Sequence, residues 1–245
     1  LYCLINMLIS HGFTPDNNQR PINYQYRVNL ARNTEVKKVA NTYVFNKPPY
    51  SITLYYQPIV SGSYIENHNM LFRMDQNNSY SSIDTQDADF NFYNPDFVLK
   101  IASSEICEYL IFDAKYSTGD TIIKTHINNL IEKYCLNIAS VSLNQLSPEQ
   151  QQSLDQKELS LYDLCGLALE TKPPKMMCAL QGKSKINESN HDVNNHVWHY
   201  HQSPIAQLIA PPTKIVVIEL NSSNNNEELL WEEICSALPA LKEIP

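Results

Sequence analysis

Glycine is scarce here, with 5 in 245 residues. Loops that cradle phosphate depend on glycine to bring backbone N–H groups close to the anion, so most such designs are excluded. Gly182-Lys183-Ser184 has the ending of such a loop, but the position five residues before Gly182, where the loop needs glycine, is Met177. No apolar run approaches the roughly 18 residues that a membrane helix requires. No basic stretch, apolar stretch and cleavage site stand in order at the front either, so no membrane contact is expected and a cytoplasmic location is the default. Charge is also sparse, at 18% of residues, and the 18 Lys and Arg are outnumbered by 26 Asp and Glu for a formal net charge of −8. That excludes a protein held on nucleic acid by bulk electrostatics, though not one that uses a local basic patch, a metal ion or a partner domain. The 6 cysteines never form a C-x-x-C pair. Neither a zinc knuckle nor a disulfide framework is indicated, and these thiols are expected to be reduced and mostly buried.

Hydrophobic residues make up 43% of the chain, enough for a real core. Leu1, Leu4, Ile5, Leu8 and Ile9 recur at helical spacing up to a stop at His11-Gly12. The stripe begins without a cap, which suggests the C-terminal part of a longer polypeptide. Tyr24 to Arg32 alternates weakly, and Ser51 to Tyr56 reads as a strand stopped by Pro58. The stretch 61–94 is polar, with one short strand expected around Met70 to Met74. Pro95 to Ile101 and Ile106 to Tyr116 form a hairpin across Ala102-Ser103-Ser104-Glu105. A long helix is expected over Ile122 to Ile138, with Ile123, Ile127, Leu130, Ile131, Tyr134 and Ile138 on one face, and a shorter one over Ser160 to Glu170. Met176 to Leu180 and Lys214 to Leu220 are of strand length, the second suited to burial on both faces. Glu227 to Leu238 closes as a helix with Asn226 as its cap. The reading is one α/β domain over 1–245, with its core in about 1–140 plus the strands 176–180 and 214–220.

The hairpin carries the chemistry. Alternation along Tyr109-Leu110-Ile111-Phe112-Asp113-Ala114-Lys115-Tyr116 puts Asp113 and Lys115 on one face, about 6.6 Å apart along the strand. With the turn centred on Ser104-Glu105, Ser103 faces Ile106, and counting outward brings Asp96 opposite Asp113. Directly opposed side chains in a sheet lie about 4.5–5.5 Å apart. Like charges that close repel, and one carboxyl takes up a proton unless a cation intervenes. Lys115 supplies one positive charge. A hard divalent cation offsets the rest, because Mg²⁺ binds through a few carboxylates plus water and phosphate oxygens. An isolated Asp-x-Lys is usually a surface ion pair. Here it ends a strongly apolar strand and follows a Pro-Asp at hairpin distance, and together these features favour the metal site.

Pro95-Asp96 followed by Asp113-Ala114-Lys115 resembles the PD-(D/E)xK nuclease superfamily. Phe112-Asp113-Ala114-Lys115-Tyr116 is similar to its McrC-type branch, found in modification-dependent restriction enzymes and related defence nucleases. The resemblance spans Leu1 to about Tyr134 and is sharp only over Pro95 to Tyr116. It implies a restriction-endonuclease-like α/β core, a mixed central sheet flanked by helices. It also implies that Asp96 and Asp113 bind Mg²⁺ or Mn²⁺, that the Ala114 backbone carbonyl is a further ligand, and that Lys115 is catalytic. The expected activity is DNA endonucleolytic cleavage, with an NTPase or other defence-system subunit, or further copies of the chain, as partners. Many members carry a Glu on the first core helix, which residues 1–12 lack, and some RecB-like members have Gln where Leu130 precedes Tyr134. On the helix after the hairpin, Lys124, His126 and Lys133 are candidates for touching nucleic acid. An inactive, nuclease-like binding module and an RNA-directed nuclease or toxin are the rival readings. His191, His196, His199 and His201 match no metal-ligand spacing and read as solvated, and Glu219 reads as the surface end of its strand.

Overall fold

The computed structural model describes residues 1–18, 20–22, 39–58, 60–61, 71–73, 92–117, 119–141, 147–149, 171–182, 197–199, 213–220 and 226–243. Helix α1 (Tyr2–Ser10) buries Leu4, Met7 and Leu8. It ends at Gly12, whose φ of +83° only glycine adopts without strain, while the N–H of Phe13 returns to the carbonyl of Leu8 at 3.0 Å. This is the stop expected from His11-Gly12. The strands β1 (Thr14–Pro15), β2 (Arg20–Ile22), β3 (Val39–Lys47), β4 (Tyr50–Tyr56), β5 (Val60–Ser61), β6 (Leu71–Arg73), β7 (Phe92–Tyr93), β8 (Phe97–Ala102) and β9 (Cys107–Lys115) follow. The chain is then helical over 119–136 (α2), and α-helical turns alternate with the wider π turns Ile122–His126 and Ile131–Leu136. After it come β10 (Ile138–Val141), β11 (Thr171–Lys172), β12 (Met176–Gln181), β13 (Val197–His199), β14 (Lys214–Glu219), α3 (Asn226–Ala237) and a 3₁₀ turn, Pro239–Glu243.

The fold is α/β. Nine strands form one sheet in the order β1-β3-β4-β8-β9-β12-β14-β13, with β2 also on β3. The half from β3 to β9 is antiparallel, and β9, β12 and β14 run parallel. A parallel neighbour needs a crossover, which α2 provides between β9 and β12. One sheet face packs Leu99, Leu110, Phe112, Cys178 and Val216 against α1 and α3. The other packs Val98, Ile111, Met177 and Val217 against Ile122, Ile127, Leu130 and Tyr134 of α2. Strands covered on both sides become apolar throughout, which explains the uninterrupted burial of Met176–Gln181 and of Ile215 to Ile218. Two small sheets, β11-β10-β6 and β5-β7, lie apart from the main one. No helix among the described residues is long and apolar enough to cross a membrane.

Several expectations need correction. Ile138 does not extend the helical stripe but opens β10, because Asn137 leaves the helical conformation with ψ at 7°. Ile123 is only half-buried, and Ile122 takes the core position, since the π turns shift which residue faces inward. Asn226 does not cap its helix. Its side-chain amide donates to the Glu219 carbonyl at 2.6 Å and ties α3 to the end of β14. Strand β3 lies where no element was expected, its alternation blurred by the buried polar Asn41 and Thr42. The described cysteines are free; Cys135, Cys178 and Cys235 are buried as expected, but Cys107 is exposed at the hairpin end. The strand expected at Tyr24 to Arg32 and the helix at Ser160 to Glu170 lie outside the described residues.

Candidate active site

The hairpin register is the one expected. Pairs run from Ala102↔Cys107 to Phe97↔Phe112, and the Ser103 N–H donates to Ile106 O at 2.8 Å. The Ser103 hydroxyl accepts from the N–H groups of Glu105 and Ile106, which pins a turn that lacks Asn-Gly. One position beyond the last pair, Asp96 stands against Asp113 on the α2 face. There the backbone ladder is replaced by a side chain: the Ala114 N–H donates to Asp96 Oδ2 at 2.7 Å. A residue's N–H and C=O point to the same neighbour in an antiparallel ladder, so the Ala114 carbonyl faces the Asp96 side as well. The residue after β4 fixes Asp96 from behind, through a 2.8 Å bond from the Gln57 N–H to the Asp96 carbonyl.

Asp113 is 5% exposed. A carboxylate this buried is tolerable only with strong partners, and it has two. The Lys115 ammonium pairs with Oδ2, and the Tyr134 hydroxyl donates to Oδ1 at 3.0 Å. Burial first, then the charge of Asp113, push the Tyr134 phenol well above its ordinary value. It therefore serves as a neutral donor and not as a base. Lysine, phenol and Ala114 N–H together already offset much of the repulsion between the carboxylates.

A second set of side chains converges from α2 and β6. Lys133 lies beside Tyr134, its ammonium 5.1 Å from that ring and 5.4 Å from the ring of Tyr93. The Arg73 guanidinium sits 4.2 Å over the same Tyr93. Desolvation lowers the Lys133 pKa, and its ammonium is close enough to feel the charges of Asp113, Lys115, Arg73 and Asp96. Among the described residues, Lys115, Lys133 and Arg73 thus gather near the two carboxylates, and this positive side of the site suits an incoming anion. Lys124 and His126 lie two to three helical turns from Tyr134, roughly 12–15 Å along the axis, so of the three expected contacts only Lys133 joins the cluster.

The donors present suit a hard cation in kind, being two carboxylates and a carbonyl that faces them. Among the described residues, no group of three or more His, Cys, Asp or Glu gathers anywhere. A metal at Asp96 and Asp113 would therefore take much of its coordination from water and phosphate, as Mg²⁺ does. The sequence reading missed Arg73, Tyr93 and the role of Tyr134. Tyr134 was visible as a core-facing residue, but its bond to Asp113 depends on where the crossover lays the helix. Of the histidines, His199 is not simply solvated; its Nε2 lies 3.0 Å from Glu233 Oε1. His191, His196 and His201 lie outside the described residues. The chain matches no family model, no curated protein and no solved structure.

Proposed function

We propose that the protein is a metal-dependent endonuclease that hydrolyses phosphodiester bonds in DNA, on a restriction-endonuclease-like core. The observation that carries this reading is the placement of Asp96, Asp113 and Lys115 on one face, at the end of the central strand pair. Mg²⁺ or Mn²⁺ held by Asp96, Asp113 and the Ala114 carbonyl would supply Lewis acidity to the phosphate and a water of lowered pKa. The chain's own groups do the rest. Tyr134 fixes the Asp113 rotamer from α2, Lys115 orients the water beside Asp113, and Lys133 and Arg73 draw the phosphate in. The water oxygen bonds to phosphorus, and the bond to the leaving oxygen breaks with its electron pair. The water's proton passes to solvent and the leaving oxygen takes one from solvent. With a net charge of −8, affinity for bare DNA is expected to be weak and strongly salt-dependent. Recruitment then falls to a partner, such as an NTPase of a defence system.

Purified protein with Mg²⁺ should cut DNA. Asp113→Ala and Lys115→Ala should each lower single-turnover cleavage by about 10³-fold or more while the domain stays folded by circular dichroism. Equal activity in wild type and variants would refute the assignment. One observation favours a non-catalytic binding module instead: both Asp113 oxygens already have protein donors. Calorimetry separates the two readings, because a binding module has no reason to take up Mn²⁺ at Asp96 and Asp113. A parallel panel of RNA substrates tests the RNA-directed variant of the same site.

A further inference from the structure

Strand β12 lies between β9 and β14, and its last residue, Gln181, is in register with Lys115 on one side and Glu219 on the other. In-register residues of parallel strands share a face, about 4.8 Å apart. Lys115, Gln181 and Glu219 therefore form a row across the carboxyl ends of three parallel strands. The row lies on the α2 face, one residue pair beyond Asp113 and its neighbour Ala179. Backbone bonding holds it in place: the Gly182 N–H donates to the Lys115 carbonyl at 3.0 Å, and the Leu220 N–H to the Gln181 carbonyl at 2.9 Å. Gln181 is 7% exposed, and its Oε1 is buried without a hydrogen-bond partner among the described residues. A buried amide oxygen left without a donor destabilises the folded chain. A hydrophobic side chain of the same shape would serve the sheet better.

The orphan atom is an acceptor, so whatever completes it must donate. Of the parts that meet in phosphodiester hydrolysis, phosphate oxygens only accept, and a hard cation, which can take an amide oxygen as a ligand, is drawn instead to the charged Asp96 and Asp113 one residue pair away. Water donates. We infer that Gln181 holds the attacking water, with Oε1 accepting one of its hydrogens beside Lys115. This rests on the nuclease reading and adds to it a residue on a different strand from the Asp-x-Lys. In the step, the water oxygen forms its bond to phosphorus while Gln181 neither gains nor loses a proton. Its part is to fix the direction of the oxygen lone pair toward phosphorus.

The experiment compares wild type, Asp113→Ala, Gln181→Met and Gln181→Leu as full chains. Cleavage is followed under single-turnover conditions on DNA and on RNA of the same sequence, and thermal unfolding is measured without metal. If Gln181 holds the water, both Gln181 variants lose about tenfold or more in rate, the loss of one hydrogen bond in the transition state. Their affinity for substrate should stay within about twofold, because only the chemical step is touched. Their melting points should rise by about 2–4 °C, since an unsatisfied buried acceptor has gone. Unchanged cleavage in both variants while Asp113→Ala is inactive overturns this inference and leaves the nuclease reading standing. A fall in melting point in both variants also overturns it, since it would show Gln181 to be a structural hydrogen-bonding group. A rate loss confined to RNA overturns it in favour of a contact to the 2′-hydroxyl. A wild-type chain that cuts neither substrate removes the reading and the inference together.

Discussion

The Glu233 and Asp113 networks both sit on the parallel half of the sheet, and they differ in what surrounds the acid. At the outer strands, Glu233 of α3 pairs with Lys214 at the start of β14 and with His199 of β13. Burial alone would raise the Glu233 carboxyl. The hydrogen bonds from Lys214 and then His199, together with their charges, outweigh it and hold the group below its ordinary value. One acid meets its cation, and helix α3 is fastened to the sheet. At the centre, Asp113 also has a lysine and a second donor, but it faces Asp96 across the hairpin and has Lys133 and Arg73 nearby. The outer network is a closed pair that any stable fold can use. The central one crowds charges of both signs where a single ion pair would suffice, a pattern associated with binding or chemistry more than with stability.

The largest expected contrast lies in activity. Asp113→Ala should abolish cleavage as described above, whereas Glu233→Gln should leave it within about twofold, since that ion pair lies across β14 from the hairpin. A comparable loss in Glu233→Gln would break the distinction. Tyr134→Phe comes next. It removes the hydroxyl that fixes Asp113, and the expected cost is about tenfold in single-turnover rate. A Tyr134→Phe enzyme at full rate would show that Asp113 is positioned by Lys115 alone. Lys133→Ala should weaken DNA binding only a few-fold, and it should reduce the slope of log affinity against log salt by about 1. An unchanged slope would remove Lys133 from the phosphate contacts.

The smallest effect concerns stability. Glu233→Gln should lower the melting point at pH 7 by about 2–4 °C, in keeping with about 1 kcal/mol for a partly buried, hydrogen-bonded ion pair. Because the folded pKa of Glu233 is lowered, its contribution is present above the unfolded value of 4.5 and is lost as pH falls through the folded value. The melting curves of wild type and Glu233→Gln should therefore converge in acid below that value. A gap that stays constant down to pH 3 would mean that the side chain stabilises by packing and not by charge.

The hairpin and its acids were legible in the chain for a local reason. Alternation has a period of two, and a short turn leaves few registers, so Asp96, Asp113 and Lys115 fall on one face wherever the turn sits within a pair. Helix α2 was legible too, but not its effect. A stripe containing Tyr134 says that the tyrosine faces a core, and only the crossover onto the sheet brings its hydroxyl to Asp113. Arg73 could not have been found, since β6 pairs with β10, and its nearness to Lys133 is an outcome of that packing. The π turns in α2 were likewise invisible, because the apolar spacing fits an ordinary helix almost as well.

Chain order alone determined the α/β class, the hairpin with its two aspartates and lysine, and the apolar strands at 176–180 and 214–220, because each follows from spacing within a few residues. Tertiary structure decided that Gln181 stands beside Lys115, that Tyr134 and Lys133 reach the acids, and that Glu233 meets Lys214 instead. Those pairings join residues 19 to 66 positions apart along the chain. Their partners are chosen by strand order and by the side of the sheet on which each helix crosses, and no local pattern records either one.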